Sequence, residues 1–182
     1  MTDFCECQLG PEGSGKWDKR SLNYSDEGFS DWMRQTVDDS FREVSRVCGL
    51  KFRRVNRQDG SDIAIKLVSI DGPSKVLGRA WYPIPTSERA GDIHIDASEK
   101  WSYDFLRSVI LHEIGHALGL THSDRIQDLM FSKLIPPVQK HYQSGDIVRL
   151  QKLYGPPEVR PTPKPKPRWT FFSWLRQLFK TR

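Results

Sequence analysis

The stretch His112-Glu113-Ile114-Gly115-His116-Ala117-Leu118-Gly119-Leu120-Thr121-His122 constrains this 182-residue chain more than any other. Residues four apart on a helix share a face, so His112 and His116 can offer two imidazoles to one ion. Glu113 leans to the side of that pair, where its carboxylate can hold a water instead of ligating. Gly119 lets the chain turn sharply out of the helix and swing His122 back as a third ligand. Three neutral nitrogens leave the fourth tetrahedral position open, as a catalytic zinc requires. Paired histidines alone also occur as surface residues of helices. With Gly119 and His122 in register and Met130 downstream, coincidence becomes a poor explanation.

The rest of the chain supplies elements around this helix. Phe29, Trp32, Met33, Val37, Phe41 and Val44 recur at helical spacing, with Ser25 or Ser30 as caps and Gly49 as a left-handed stop. Extended segments are predicted over residues 22–25, 50–55, 62–68, 76–82 and 92–96. A helix over residues 103–120 ends at Gly119, and another over 144–154 ends at Gly155, with Ile147, Leu150 and Leu153 on one face. One early helix, a run of strands and two later helices make an α+β layer fold.

These residues resemble the matrixins, the matrix metalloproteinase family of the metzincins. The resemblance rests on the zinc motif, on Ser123 after the third histidine, and on Asp128-Leu129-Met130-Phe131. It extends to Trp17-Asp18-Lys19-Arg20-Ser21-Leu22-Asn23-Tyr24, Asp71-Gly72-Pro73, Ala80-Trp81-Tyr82-Pro83, Gly91-Asp92-Ile93-His94-Ile95-Asp96 with Glu99-Lys100-Trp101, and Gly145-Asp146-Ile147 through Leu153-Tyr154-Gly155. It implies a metzincin catalytic domain over residues 17–155, with a twisted, mostly parallel sheet and three helices, preceded by an extension over 1–16. The implied activity is that of a zinc endopeptidase acting on protein or peptide substrates as a monomer. His112, His116 and His122 would bind one zinc, Glu113 would be general base to the zinc-activated water, and Met130 would floor the imidazoles without ligating. The strand near Leu77, Gly78 and Ala80 would pair with an extended substrate, and Ser108 would line an open pocket for a medium or large apolar side chain. Residues 134–138 form that pocket's outer rim or a packed loop, and Phe131-Ser132 replaces the family's Tyr-Pro. The competing function is a non-catalytic module in which the zinc is structural.

Three departures matter. Only His94 stands where the family's second, structural zinc has histidine ligands, and Arg79 occupies another of those places, so that site is expected to be absent. Asp71, Asp96 and Glu99 match the family's calcium carboxylates, with carbonyls of Gly72, Ser74 and Val76 available; the alternative is that Asp71 caps a turn while the other two face water. No Pro-Arg-Cys-Gly segment precedes Trp17, so Cys5 or Cys7 would have to supply a blocking thiolate, or both are inert thiols. Three cysteines do not make a disulfide scaffold.

Charge separates the two ends. The chain carries +5, but residues 156–182 hold seven Lys or Arg against Glu158 alone, which leaves residues 1–155 at −1. The domain therefore has no basic face for nucleic acid. Residues 156–167 read as a proline-rich polyproline spacer. Residues 168–182 read as a basic amphipathic helix, with Phe171, Phe172, Leu175, Leu178 and Phe179 on one face. That helix suits a membrane surface or a partner protein, or it is a disordered end, and it is too short to span a bilayer. Matrixins usually act outside cells, while residues 1–14 show no ordinary secretory signal.

Overall fold

The computed structural model describes residues 15–133 and 135–158. The expectations on Cys5, Cys7, Leu134 and residues 159–182 lie outside them. Five strands form one sheet: β1 Ser21–Glu27, β2 Lys51–Arg54, β3 Ile63–Val68, β4 Gly78–Ala80 and β5 Asp92–Asp96. Their order is β2-β1-β3-β5-β4, parallel throughout except for the antiparallel β4–β5 pair. Three helices, α1 Asp31–Val47, α2 Tyr103–Ala117 and α3 Ser144–Tyr154, complete the predicted α+β architecture.

Alternation decides which face of the sheet is buried. Ile63 and Ile65 of β3 and Ile93 and Ile95 of β5 are fully buried, while the alternate positions Ala64, Lys66 and His94 point the other way. On α1, Met33, Val37, Phe41 and Val44 fall on the buried stripe, and Phe41 stacks on Tyr24 of β1 with ring centroids 3.9 Å apart. Trp32 departs from expectation. It lies off that stripe and stays 45% exposed. Every residue of α2 from Leu106 to Ala117 is buried, which explains the weak amphipathic pattern there: this helix is wrapped on all sides.

Glycines end two helices as predicted, but a third works differently. Gly119, at φ 96°, completes a Schellman turn in which Gly119 N–H donates to His116 O (2.8 Å) and Leu120 N–H to Gly115 O (2.9 Å). Gly155, at φ 73°, closes α3. Gly49 is not left-handed; Cys48 leaves α1 in an extended conformation. Glycine is required at 49 for closeness instead, because a β-carbon there would meet the Tyr154 carbonyl and the Arg20 guanidinium. The predicted strand over 76–82 shortens to the three residues of β4, which forms one edge of the sheet.

Candidate metal centre

α2 and the turn after it bring His112, His116 and His122 together. The Nε2 atoms of His112 and His116 are 3.1 Å apart, and those of His112 and His122 are 3.3 Å apart. Among the described residues this is the one group of three His, Cys, Asp or Glu side chains whose ligand atoms converge. Two nitrogens each bound about 2.0–2.1 Å from a tetrahedral ion stand about 3.3 Å apart, so the spacing suits zinc.

The tautomers agree with it. His112 Nδ1 faces the Leu129 carbonyl at 2.9 Å and His116 Nδ1 faces the Leu120 carbonyl at 2.7 Å. A carbonyl only accepts, so both Nδ1 atoms carry the hydrogen and both Nε2 atoms turn bare lone pairs toward each other. Burial lowers the pKa of all three imidazoles, that of His112 to about 3, which keeps them neutral. Converging lone pairs repel unless a cation sits among them.

Glu113 supplies the complementary signal. Its carboxylate is fully buried and neither oxygen has a hydrogen-bond partner among the described residues, and desolvation pushes its pKa well above the usual carboxylate range. Such a group is costly unless a positive charge or a bound substrate answers it. Gly78 of β4 lies directly over it, where a β-carbon would come within 2.8 Å of Glu113 Cγ. The edge strand, the acid and the imidazoles therefore share one place.

Met130 is fully buried and packs under the helix at Gly115, where a β-carbon would collide with its sulfur. Sequence reasoning missed what holds it. Asp146, in the first turn of α3, accepts from the backbone N–H groups of Leu129 (2.8 Å) and Met130 (3.3 Å) and also pairs with Arg149 (2.9 Å). Arg149 in turn donates to the Thr121 carbonyl, 2.9 Å, beside His122. The visible signal was an acid three residues after Gln143, which together form the capping box of α3. Tyr82 was also missed as a neighbour: its hydroxyl lies 3.3 Å from His116 Nδ1.

The remaining predicted residues fall as follows. Leu77, Gly78 and Ala80 are all buried along the edge strand. Ser108 lines a cavity of about 20 Å³ with Leu129, Val138 and Gln139. The Ser108 hydroxyl donates to the Gln139 carbonyl at 2.7 Å and so ties that loop to α2. Asp71, Asp96 and Glu99 do not form a converged carboxylate set. Asp96 Oδ1 accepts from Ser98 N–H (2.8 Å), Glu99 accepts from Ser74 N–H, and Asp71 is exposed. Asp96 Oδ2 nevertheless stays buried without a hydrogen-bond partner. His94 sits opposite Arg79 in the β4–β5 register, with Arg89 Nη2 3.4 Å from its Nε2.

Comparison with known proteins gives one consistent picture. The family model described as Matrixin matches residues 16–155. Interstitial collagenase of Sus scrofa is 34% identical over 175 residues, covering 87% of this chain and 36% of that protein. Stromelysin-1 of Rattus norvegicus is 33% identical over 174 residues, covering 82% and 35%. Macrophage metalloelastase of Rattus norvegicus is 32% identical over 166 residues, covering 81% and 35%. The chain spans about a third of the length of these curated relatives.

Proposed function

Because the chain belongs to the matrixin family, whose members use a catalytic zinc and structural calcium, we propose that it is a zinc-dependent endopeptidase hydrolysing peptide bonds in protein or peptide substrates. The observation that carries this reading is the buried carboxylate of Glu113, without a hydrogen-bond partner among the described residues, beside three imidazoles whose ring nitrogens converge. A purely structural zinc needs no such acid.

His112, His116 and His122 would hold the zinc through Nε2. When bound, zinc supplies Lewis acidity that makes water a stronger nucleophile and polarises a carbonyl. Glu113 takes the proton from the attacking water and delivers it to the leaving amine nitrogen. β4, the last strand in the sheet order, receives the substrate backbone as an added strand, which aligns the scissile bond over Glu113. The Leu129 and Leu120 carbonyls keep the imidazoles oriented throughout.

The test is cleavage of a quenched peptide library with and without chelator, alongside Glu113→Ala. Both treatments should abolish cleavage while Glu113→Ala retains its zinc; activity indifferent to both overturns the proposal. Calcium is assigned to the loop around Asp96, whose buried Oδ2 lacks a partner. Millimolar calcium should raise Tm in the wild type and not in Asp96→Asn; equal shifts would remove that assignment.

A further inference from the structure

One row of side chains crosses the outer face of the sheet and ends on the strand that lies over Glu113. The register sets Glu27 of β1 opposite Lys66 of β3, Lys66 opposite His94 of β5, and His94 opposite Arg79 of β4. Residues opposite one another in a sheet share a face, and their neighbours along each strand take the other. Accordingly Gly78 and Ala80, on either side of Arg79, are buried, whereas Lys66, His94 and Arg79 are half-buried.

The chain after β4 adds charge to this face. Arg89 lays its guanidinium on the Trp81 ring, 3.5 Å from the centroid, and Trp81 meets His94 edge-on with centroids 5.0 Å apart. Arg89 Nη2 stands 3.4 Å from His94 Nε2. Two acids on this face pair with arginines: Glu27 with Arg57 and Asp92 with Arg89. Burial first, then Arg89, Lys66 and Arg79, lower the His94 pKa against the pull of Asp92, which favours the neutral imidazole. The row therefore reads acid, ammonium, neutral imidazole, guanidinium, with its cationic end on β4.

A strand added beyond β4 continues each row by one side chain, about 4.5–5.5 Å away between β-carbons. Gly78 covers Glu113, so the place opposite Arg79 falls within a few residues of the scissile bond. We propose that Arg79 determines specificity there, selecting an aspartate or glutamate at the substrate position that extends its row. This rests on the peptidase reading, with substrate paired along β4, and deepens it.

The experiment uses the full chain and a set of neutral quenched peptides, each remade with one glutamate or one lysine at one of its six central residues. At a single position relative to the cleaved bond, the wild type should favour glutamate over lysine by about fivefold or more in kcat/KM. High salt should shrink that ratio. Arg79→Gln should bring it to about one, and Arg79→Glu should invert it, while the ratios at the other positions stay as they were. Each ratio is taken within one variant, so a general loss of folded protein leaves it unmoved. No position favouring glutamate by at least about twofold, or a preference that survives Arg79→Glu, overturns the proposal. Fluorescence anisotropy of the same peptides on Glu113→Ala reads the preference without cleavage, and Arg79→Glu in that background should invert it too. A wild type that cleaves none of the set sinks the peptidase reading, while the anisotropy ratios still decide the role of Arg79.

Discussion

Gly78 and Glu113 meet at a separation that only a hydrogen side chain allows. A β-carbon at 78 would lie 2.8 Å from Glu113 Cγ and 2.9 Å from Oε1, inside normal contact distance. Gly78→Ala must therefore shift either the strand that receives substrate or the acid that moves the proton. Displacements near 1 Å cost about a hundredfold in rate, so kcat/KM should fall by about that factor while bound zinc, measured by metal analysis, stays at wild-type level. A loss under about threefold would mean the strand and the acid are not in register. The histidines and Glu113 were legible in the sequence because they sit on one helix, where a four-residue spacing dictates a shared face. The glycine's partner was not, since 34 residues of intervening chain must first fold.

Among the elements, α3 matters more to the site than its distance in sequence suggests. Its first turn places Asp146, fully buried, against the backbone of Leu129 and Met130 and against Arg149. Asp146→Ala would leave the buried amides of Leu129 and Met130 without their acceptor and remove the carboxylate partner of Arg149, a loss of roughly 2–4 kcal/mol in urea unfolding. Zinc should also be held less tightly in a chelator competition, because the Leu129 carbonyl orients His112. Wild-type stability in this variant would show that the turn under the histidines is held by other means. The sequence exposed α3 itself through its apolar spacing and Gly155, and the ends of α2 through Gly119. It misassigned Gly49, because a glycine chosen for close approach and one chosen for left-handed φ look identical in a string of letters.

For the whole molecule, charge divides a nearly neutral domain from a cationic end. Residues 156–182 carry seven Lys or Arg against one acid, interleaved with aromatic residues. Full-length protein should therefore co-sediment with anionic vesicles, and a chain stopped at Gly155 should not. Equal sedimentation would discard the membrane-surface reading and leave partner docking or a disordered end. The sequence by itself determined the helix that carries the imidazoles, the acid beside them, the turn that returns His122, and the order of helices and strands. Each follows from periodicity or backbone freedom within a few residues. Only the tertiary structure decided that Asp146 braces the turn at Met130, that Glu43 on α1 grips His141 98 residues away, and that Ser108 reaches the Gln139 carbonyl. Those hydrogen bonds join atoms that local pattern leaves unrelated, and the packing of α1, α2 and α3 brings them within reach.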